Sequence, residues 1–457
     1  MNDKLKLKEK IGFGFGDFAS SMFWKIFSMF LLFFYTDIFK LSPESVGTMF
    51  LLTRLWDGIN DPLMGIIADR TNTKSGKFRP YLLWVAVPFA IIGILTFTTP
   101  SFGPSGKLIY AYVTYTLMMM VYTAVNVPYA ALMGVMTSDV QERTSLASFR
   151  FIGAFGGGVF LTATIPYILE FFKNLDFNQA HSYQYTVAIY AILAAFFFIM
   201  TYLWTKERIK PIIEKSTIKK DLIDLGKNAQ WFIMLGACIS VLIFNSLREG
   251  VMMHYFKYII HDKEVPIWGH VSWEKLAGVF MTSWLVANII GVVLAKPLAT
   301  LMGKKRVFLY AMLACALLSI PINWLTRDAL GIVFILNALT GITAGMVLPL
   351  IWSMYGDISD YSEWETGRRA TGLIFSSSSM AQKFGWTLGG ALTAWLLAAY
   401  GFIADVEQTE QSINGIRMLI SIYPAIGALL SVMFIMRYKL SDSFMEKVVV
   451  ELEERRK

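Results

Sequence analysis

The feature that most constrains this chain is a series of apolar runs, each about 20 residues long, that recur along nearly the whole sequence. As a helix, a run of that length crosses the hydrocarbon core of a bilayer. Of the 457 residues, 55% are hydrophobic and only 16% are charged, whereas about 25% of the residues in a soluble protein are charged. The sequence therefore predicts an all-α integral membrane protein rather than a soluble domain with a large core.

The runs predict twelve transmembrane helices in two six-helix bundles. The predicted spans are 11–39, 44–69, 81–99, 107–135, 146–172, 183–204, 231–260, 276–300, 307–325, 331–355, 371–401 and 413–437. The predicted parts are an N-terminal bundle at 1–204, a linker at 205–230, a C-terminal bundle at 231–437 and a tail at 438–457. The first run is too long for a cleavable signal peptide. Cys238 and Cys315 lie in apolar runs and indicate neither a disulfide framework nor a metal site.

Basic residues predict how the chain lies in the membrane. They are concentrated in the N-terminal segment, the linker and the tail, and the positive-inside rule places such segments in the cytoplasm. The same rule accounts for the net charge of +8 without a nucleic-acid partner. We therefore predict a multi-pass protein of the inner or plasma membrane, with both termini in the cytoplasm.

A repeated spacing indicates that the two halves are related. The repeated positions are Pro128, Asp139 and Glu142 in the first half and Pro349, Asp360 and Glu363 in the second. Duplicated bundles of this kind build transporters, with the substrate bound between the halves near the midplane of the bilayer.

The second span contains charges that lipid should exclude. Asp57 and Asp61 are four residues apart and therefore face the same side of a helix, and Asn60 lies next to Asp61. Carboxylate and amide oxygens suit a small hard cation, and in a membrane they should face a cavity. Since Arg54 alone cannot fully pair two carboxylates, we interpret this face as a cation site. A structural ion pair is the alternative.

The segment between the second and third spans predicts a gate at the inner face of the membrane. A helix-ending Asp69 is followed by Arg70, a turn at Gly76, and Arg79. The alternative is a simple topology signal, because the segment is basic. We add to the predicted gate the charged residues near the repeat, which are Asp139, Arg143, Asp360 and Arg368.

Several motifs together resemble one known family. The stretch Arg54–Pro62 is similar to that of the glycoside–pentoside–hexuronide:cation symporters, the melibiose permease branch of the major facilitator superfamily. The similarity continues through Gly14–Phe18, Asn126–Tyr129 and Lys383. It implies the major facilitator fold, with two pseudo-symmetric six-helix bundles. We interpret Gly14 and Gly16 as helix-packing glycines, because no strand precedes them as a nucleotide fingerprint requires.

The resemblance also implies roles for individual residues. The cation would be bound by Asp57, Asn60, Asp61 and Thr123. The substrate would be bound by Asp17, Asn126, Arg150 and Lys383, with Trp386 as a ring to stack on a sugar. The family pattern breaks at Asn126 and Ala130, where melibiose permease has aspartate and tryptophan, so the sugar preference should differ. Lys25 and Arg248 could add positive charge to the site and hint at an acidic sugar, although a structural ion pair is as good an interpretation of Arg248.

These observations predict alternating-access symport of a glycoside, pentoside or hexuronide with sodium or a proton. We expect no enzymatic activity, no cofactor, no metal beyond a possible sodium at Asp57 and Asp61, and a monomer whose partners are the sugar, the cation and the bilayer. A lysolipid carrier with the same two-aspartate motif is one alternative. A non-transporting sugar sensor is another, and the short tail argues against it.

Overall fold

The computed structural model describes residues 5–137, 140–208, 226, 228–265, 269–367 and 371–456. The chain divides into two units. The first unit contains Met1–Ile213, Glu274–Val279 and Ile403–Glu407, and the second contains Glu214–Trp273, Phe280–Phe402 and Gln408–Lys457.

The first unit is built from helices. In chain order these are α1 (Leu7–Ile26), α2 (Pro43–Arg70), α3 (Arg79–Trp84), α4 (Ala86–Thr96), α5 (Pro104–Met136), α6 (Val140–Asn174) and α7 (Gln179–Trp204). Two π-helical segments, Phe27–Leu31 and Phe34–Ile38, continue α1 to the end of the first predicted span. Together α3 and α4 fill the third predicted span.

The second unit is also mainly helical. Its α-helices are α8 (Ala229–Tyr255), α9 (Trp273–Met302), α10 (Lys304–Ser319), α11 (Leu330–Thr366), α12 (Thr371–Ala399), α13 (Glu410–Ile420), α14 (Ile422–Met436) and α15 (Asp442–Arg456). The first turns of α9, Glu274–Val279, are grouped with the first unit. A π-helical segment Phe256–Ile260 extends α8, and the 3-10 segments Ile320–Trp324 and Arg327–Ala329 lie between α10 and α11. The sequence did not predict one small element, an antiparallel hairpin of β1 (Lys263–Val265) and β2 (Gly269–Val271) in which Glu264 lies opposite His270.

Each predicted span coincides with helix. Within the part of the chain that the structure describes, eight helices are long and apolar enough to cross a membrane. The total of twelve crossings stays a prediction.

Glycines bring α1 into close contact with α6. A Cβ on Gly153 would lie 2.1 Å from the carbonyl oxygen of Gly14, and one on Gly157 would lie 2.3 Å from that of Phe18. A Cβ on Gly16 would lie 2.3 Å from the Tyr129 ring of α5. Small residues allow helix backbones to approach this closely in membranes. The packing role predicted for Gly14 and Gly16 is confirmed, and it places Asp17 beside α6.

The repeated sequence spacing does not correspond to repeated structure. Pro128 lies inside α5, which ends at Met136, and Glu142 lies in the first turn of α6. In the second half α11 continues unbroken past Glu363 to Thr366. Equal spacing therefore places Glu142 and Glu363 in different local structures, because the helix ends in one half and continues in the other.

The predicted tail forms a helix that contacts the end of α11. Met445, Val448 and Leu452 of α15 are buried, at spacings that put them on one helical face. The Trp364 Nε1–H donates a hydrogen bond to Glu451 Oε2 over 2.6 Å. The tail is therefore part of the second unit.

Candidate functional site

The charged stretch of α2 has one buried face. Asp57, Met64 and Ala68 are all less than 10% exposed, whereas Leu55 and Ile59 are 47% and 56% exposed. This pattern has the helical period, because residues four apart lie above one another on a helix. Asp57 therefore lies on the inner face of α2, as the sequence predicts.

A single threonine of α5 joins the two carboxylates. The Thr123 hydroxyl oxygen lies 3.0 Å from Asp57 Oδ1 and 2.9 Å from Asp61 Oδ1. A hydroxyl group has one proton, so it can donate to only one of the two oxygens at a time. Three oxygens thus converge around one hydroxyl proton, and oxygens in this arrangement suit a cation or a proton. The structure brings together Asp57, Asp61 and Thr123, as predicted for the cation site.

Arg54 contacts the same cluster from the side. Its Nη1 lies 3.3 Å from Asp57 Oδ2, which is a long hydrogen bond. Its guanidinium carbon lies 4.6 Å from the centre of the Trp24 ring on α1, within the range of a cation–π interaction. Arg54 is therefore shared between an anion and an aromatic ring.

Asn60 lies on α2 between the two aspartates. Its side-chain Nδ2 is buried and has no hydrogen-bond partner among the described residues. A place for Asn60 around a bound cation stays a prediction.

The predicted substrate residues Asp17 and Arg150 form an ion pair. Arg150 Nε lies 2.5 Å from Asp17 Oδ2, and Nη2 lies 3.4 Å from Oδ1. The guanidinium also lies over the Tyr129 ring, 5.3 Å from its centre, and the Tyr129 hydroxyl donates to the Phe13 carbonyl over 2.6 Å. The close packing of α1 on α6 holds this pair in place.

A second polar group lies one turn further along α1. The Ser20 hydroxyl donates to Asn126 Oδ1 over 2.7 Å, and Asn126 Nδ2 donates to the Tyr122 carbonyl over 2.9 Å. The Tyr122 ring lies 5.7 Å from that of Trp24. Sequence reasoning missed Ser20 and Trp24, although their spacing from Asp17 puts all three on one face of a helix.

Two groups of side chains are neighbours. The cation cluster consists of Asp57, Asp61 and Thr123, and the hydroxyl-rich group consists of Ser20, Tyr122 and Asn126. Tyr122 belongs to the second group, and the next residue, Thr123, belongs to the first. Trp24 contacts both Tyr122 and Arg54, and Arg54 contacts Asp57. A change at one group can thus reach the other through directly contacting side chains.

The structure encloses Arg248 inside the second unit. Its side chain is fully buried, and it donates to Ser319 Oγ at 3.1 Å, the Ile420 carbonyl at 3.2 Å and Asn337 Oδ1 at 3.0 Å. The guanidinium also lies 5.0 Å from the Trp284 ring centre. Among the described residues its hydrogen-bond partners are neutral oxygens. These contacts tie several helices together, and a role in substrate binding stays a prediction.

The other predicted substrate residues have backbone contacts. Lys383 and Trp386 lie on α12, where the Lys383 carbonyl accepts from Thr387 and the Trp386 carbonyl accepts from Ser246 of α8. Lys25 lies in the last turn of α1. Roles in substrate binding for these three residues stay predictions.

The predicted gate is described in part. Gly76 has a φ of +117°, and Arg79 donates to the Ser75 carbonyl at 3.1 Å and the Tyr202 carbonyl at 2.7 Å. Arg70 is the last residue of α2, and Asp360 lies in α11. Asp139 and Arg368 lie outside the described residues, as do the side chains of Asp69 and Arg143.

Comparisons with known proteins show which proteins this chain resembles. Residues 12–442 match a family described as MFS/sugar transport protein. The inner membrane symporter YicJ of Escherichia coli (strain K12) is 36% identical, over 98% of this chain and 95% of that protein. The isoprimeverose transporter of Lactiplantibacillus pentosus is 34% identical, over 98% and 91%. A crystal structure of a D-xylose-proton symporter matches with a TM-score of 0.61 at 14% identity, over 95% of this chain and 97% of that one. The predicted class of fold is confirmed.

Proposed function

We propose a specific task for this chain, which belongs to the MFS/sugar transport protein family: it carries a sugar or glycoside across the membrane together with sodium or a proton. The observation that supports this most is the cluster of Thr123, Asp57 and Asp61. Two carboxylates that share one hydroxyl form a set of oxygen ligands that suits a small hard cation. Related proteins are named a symporter and an isoprimeverose transporter.

The cation would bind at the oxygens of Asp57, Asp61 and Thr123. Carboxylate and hydroxyl oxygens are ligands for a hard cation, and a single proton on either carboxyl group would also relieve the repulsion. The electrostatic attraction between Arg54 and Asp57 would then weaken, and the Arg54 guanidinium would move closer to the Trp24 ring. Cation binding would in this way reorganise the neighbouring group, and the coupling would be reciprocal.

The sugar would bind at the polar groups of α1, α5 and α6. Asp17 and Arg150 offer charged acceptors and donors for sugar hydroxyls, and Ser20 and Asn126 offer neutral ones. The Trp24 ring supplies a flat apolar surface for a pyranose face. These polar groups favour a sugar over a lysolipid.

A neutral glycoside suits this site better than an acidic one. The positive charge of Arg150 is balanced by Asp17 at 2.5 Å. Arg248, which suggested an acidic sugar, is enclosed within the second unit. We therefore expect neutral glycosides or pentosides to be preferred over uronides.

The remaining parts of the proposal follow the sequence. The protein needs no cofactor, because binding and conformational change suffice for transport. It acts in the cell membrane with both termini in the cytoplasm, as a monomer.

Uptake into right-side-out vesicles tests the function. Labelled isoprimeverose, neutral glycosides, pentosides and uronides are each supplied with a sodium gradient, a proton gradient or neither. We expect gradient-driven uptake of at least one neutral sugar and its loss in Asp57→Asn. Asp176→Asn is the matched control, because Asp176 lies in an exposed turn with a φ of +61° that asparagine tolerates. Gradient-driven uptake that is unchanged in Asp57→Asn would refute the cation site.

A further inference from the structure

A carboxylate from beyond the end of α7 fastens the loop between α2 and α3. Glu207 Oε1 accepts the backbone N–H groups of Phe78 and Arg79 at 2.7 and 2.8 Å. Its Oε2 accepts that of Lys77 at 2.8 Å. These donors precede or begin a helix, where backbone N–H groups have no partner within the helix. Hydrogen bonds to a charged acceptor are about twice as strong as neutral ones.

The loop is shaped to receive this carboxylate. Gly76 has a φ of +117°, and a Cβ at that position would lie 2.6 Å from Glu207 Cδ. Tyr202 is fastened to the same loop, since its hydroxyl donates to Ser75 Oγ over 3.1 Å and its carbonyl accepts from Arg79. Partial burial lowers the pKa of Arg79, and Tyr202 and Glu207 oppose that shift. The guanidinium keeps its charge at neutral pH.

The second unit contains the corresponding arrangement. Gly303, between α9 and α10, has a φ of +87°, and a Cβ there would lie 2.8 Å from Asp442 Oδ2. The same oxygen accepts the backbone N–H of Lys304, the first residue of α10, over 2.8 Å. Asp442 follows α14 as Glu207 follows α7. In each unit, then, an acidic residue that follows the sixth predicted span contacts a loop that contains a glycine and precedes the third predicted span. These residues are Glu207 and Gly76 in the first unit and Asp442 and Gly303 in the second.

We propose that Glu207 and Asp442 are paired positioning residues, each of which fixes the loop before the third predicted span of its own unit. Neither residue is among those assigned to the cation or the sugar. Their effect on transport, which rests on the proposed function, is to set the rate of the conformational cycle while leaving ligand affinity unchanged.

Trypsin cleavage tests the positioning without any transport. The Lys77–Phe78 bond can enter a protease only when the Phe78 N–H leaves Glu207. Glutamine retains one acceptor oxygen and turns its amide N–H₂ toward a backbone donor. In the purified full-length protein, Glu207→Gln should therefore speed cleavage at this bond by about tenfold, as loss of a hydrogen bond to a charged group implies. Asp442→Asn should do the same at the Lys304–Lys305 bond.

Two further variants control this experiment. Glu446→Gln removes an exposed carboxylate one turn beyond Asp442 and should leave both cleavage rates unchanged. Glu207→Asp keeps the charge and should restore part of the protection. Cleavage rates at both bonds within twofold of wild type in Glu207→Gln and Asp442→Asn would overturn the proposal.

Transport kinetics test the second part of the proposal, which is that Glu207 and Asp442 set the rate of the conformational cycle. In vesicles Glu207→Gln should lower the maximal rate about fivefold or more and leave the half-saturating sugar and cation concentrations within twofold. A changed half-saturating concentration at an unchanged maximal rate would overturn the assignment of these residues to the cycle. If the wild-type protein moves no sugar, the proposed function fails, and the cleavage rates still decide whether the carboxylates hold the loops.

Discussion

Replacing Thr123 with valine tests the cation cluster most directly. Valine has nearly the same shape as threonine and lacks only the hydroxyl that lies 3.0 Å from Asp57 Oδ1 and 2.9 Å from Asp61 Oδ1. The change removes one oxygen from the cluster and one hydrogen bond to a carboxylate. Thr123→Ser keeps the hydroxyl and is the control.

The size of the effect follows from that hydrogen bond. A hydrogen bond to a charged group contributes about 1.5–3 kcal/mol, and each 1.4 kcal/mol is about a tenfold change in an equilibrium constant. If sodium is the coupling ion, its half-saturating concentration should rise by roughly 10- to 100-fold, because a ligand oxygen is lost.

The assay is initial sugar uptake in vesicles, measured against sodium concentration and against pH. Thr123→Ser should resemble the wild-type protein in both series. The reasoning is refuted if Thr123→Val leaves both dependences within twofold of wild type. A rise in the half-saturating sodium concentration would also identify sodium as the coupling ion.

Three further predictions concern other parts of the structure. Gly153→Ala should destabilise the protein by about 3 kcal/mol and lower the midpoint of thermal unfolding, because the added Cβ would meet the Gly14 carbonyl. Gly58→Ala is the control, because its Cβ has open space, and it should leave that midpoint unchanged or slightly raised. Arg248→Met should lower that midpoint, because three acceptors lose their donor, while the ratio of uronide to neutral glycoside uptake stays constant; an altered ratio would contradict a structural role. Trp24→Ala should raise the half-saturating concentrations of both sugar and cation, because Trp24 contacts the hydroxyl-rich group and Arg54. Trp24→Phe should preserve most of the wild-type affinity. An effect of Trp24→Ala on the sugar alone would contradict the proposed link between the two groups.

The sequence predicted the features that depend on local periodicity. Helix positions follow from apolar runs of fixed length, and the meeting of Asp57 with Asp61 follows from their spacing on one helix. Gly14 and Gly16 of α1 indicated close helix packing, because no nucleotide-binding motif accounts for them. The β1–β2 hairpin was missed, because strands of three residues are too short to show an alternating pattern.

The contacts between distant residues were harder to predict. Ser20 and Trp24 share a helical face with Asp17, so a search along that face would have found them. Glu207 carries no such signal. It lies in a basic segment that topology alone explains, and its partners are backbone N–H groups about 130 residues away, which any sequence can supply. Arg248 shows the limit of reasoning from charge alone, because the sequence left a ligand role and a structural role equally open, and the structure adds hydrogen bonds that tie helices together.

The geometry of the cation cluster also explains why coupling should be strict. Asp57 Oδ1 and Asp61 Oδ1 lie at most about 6 Å apart, because each is about 3 Å from the same hydroxyl oxygen. Two unit charges at that separation repel by about 3 kcal/mol at an effective dielectric constant of about 20. Arg54 Nη1, which lies 3.3 Å from Asp57 Oδ2, offsets part of this repulsion. A step that shields the two carboxylates from water without a further cation would be disfavoured by up to roughly 100-fold. A bound sodium ion or proton removes the repulsion. The Asp17–Arg150 pair is already neutral and imposes no such requirement. We therefore expect the dependence of the transport cycle on a cation to come from Asp57 and Asp61, beside the long Arg54–Asp57 pair.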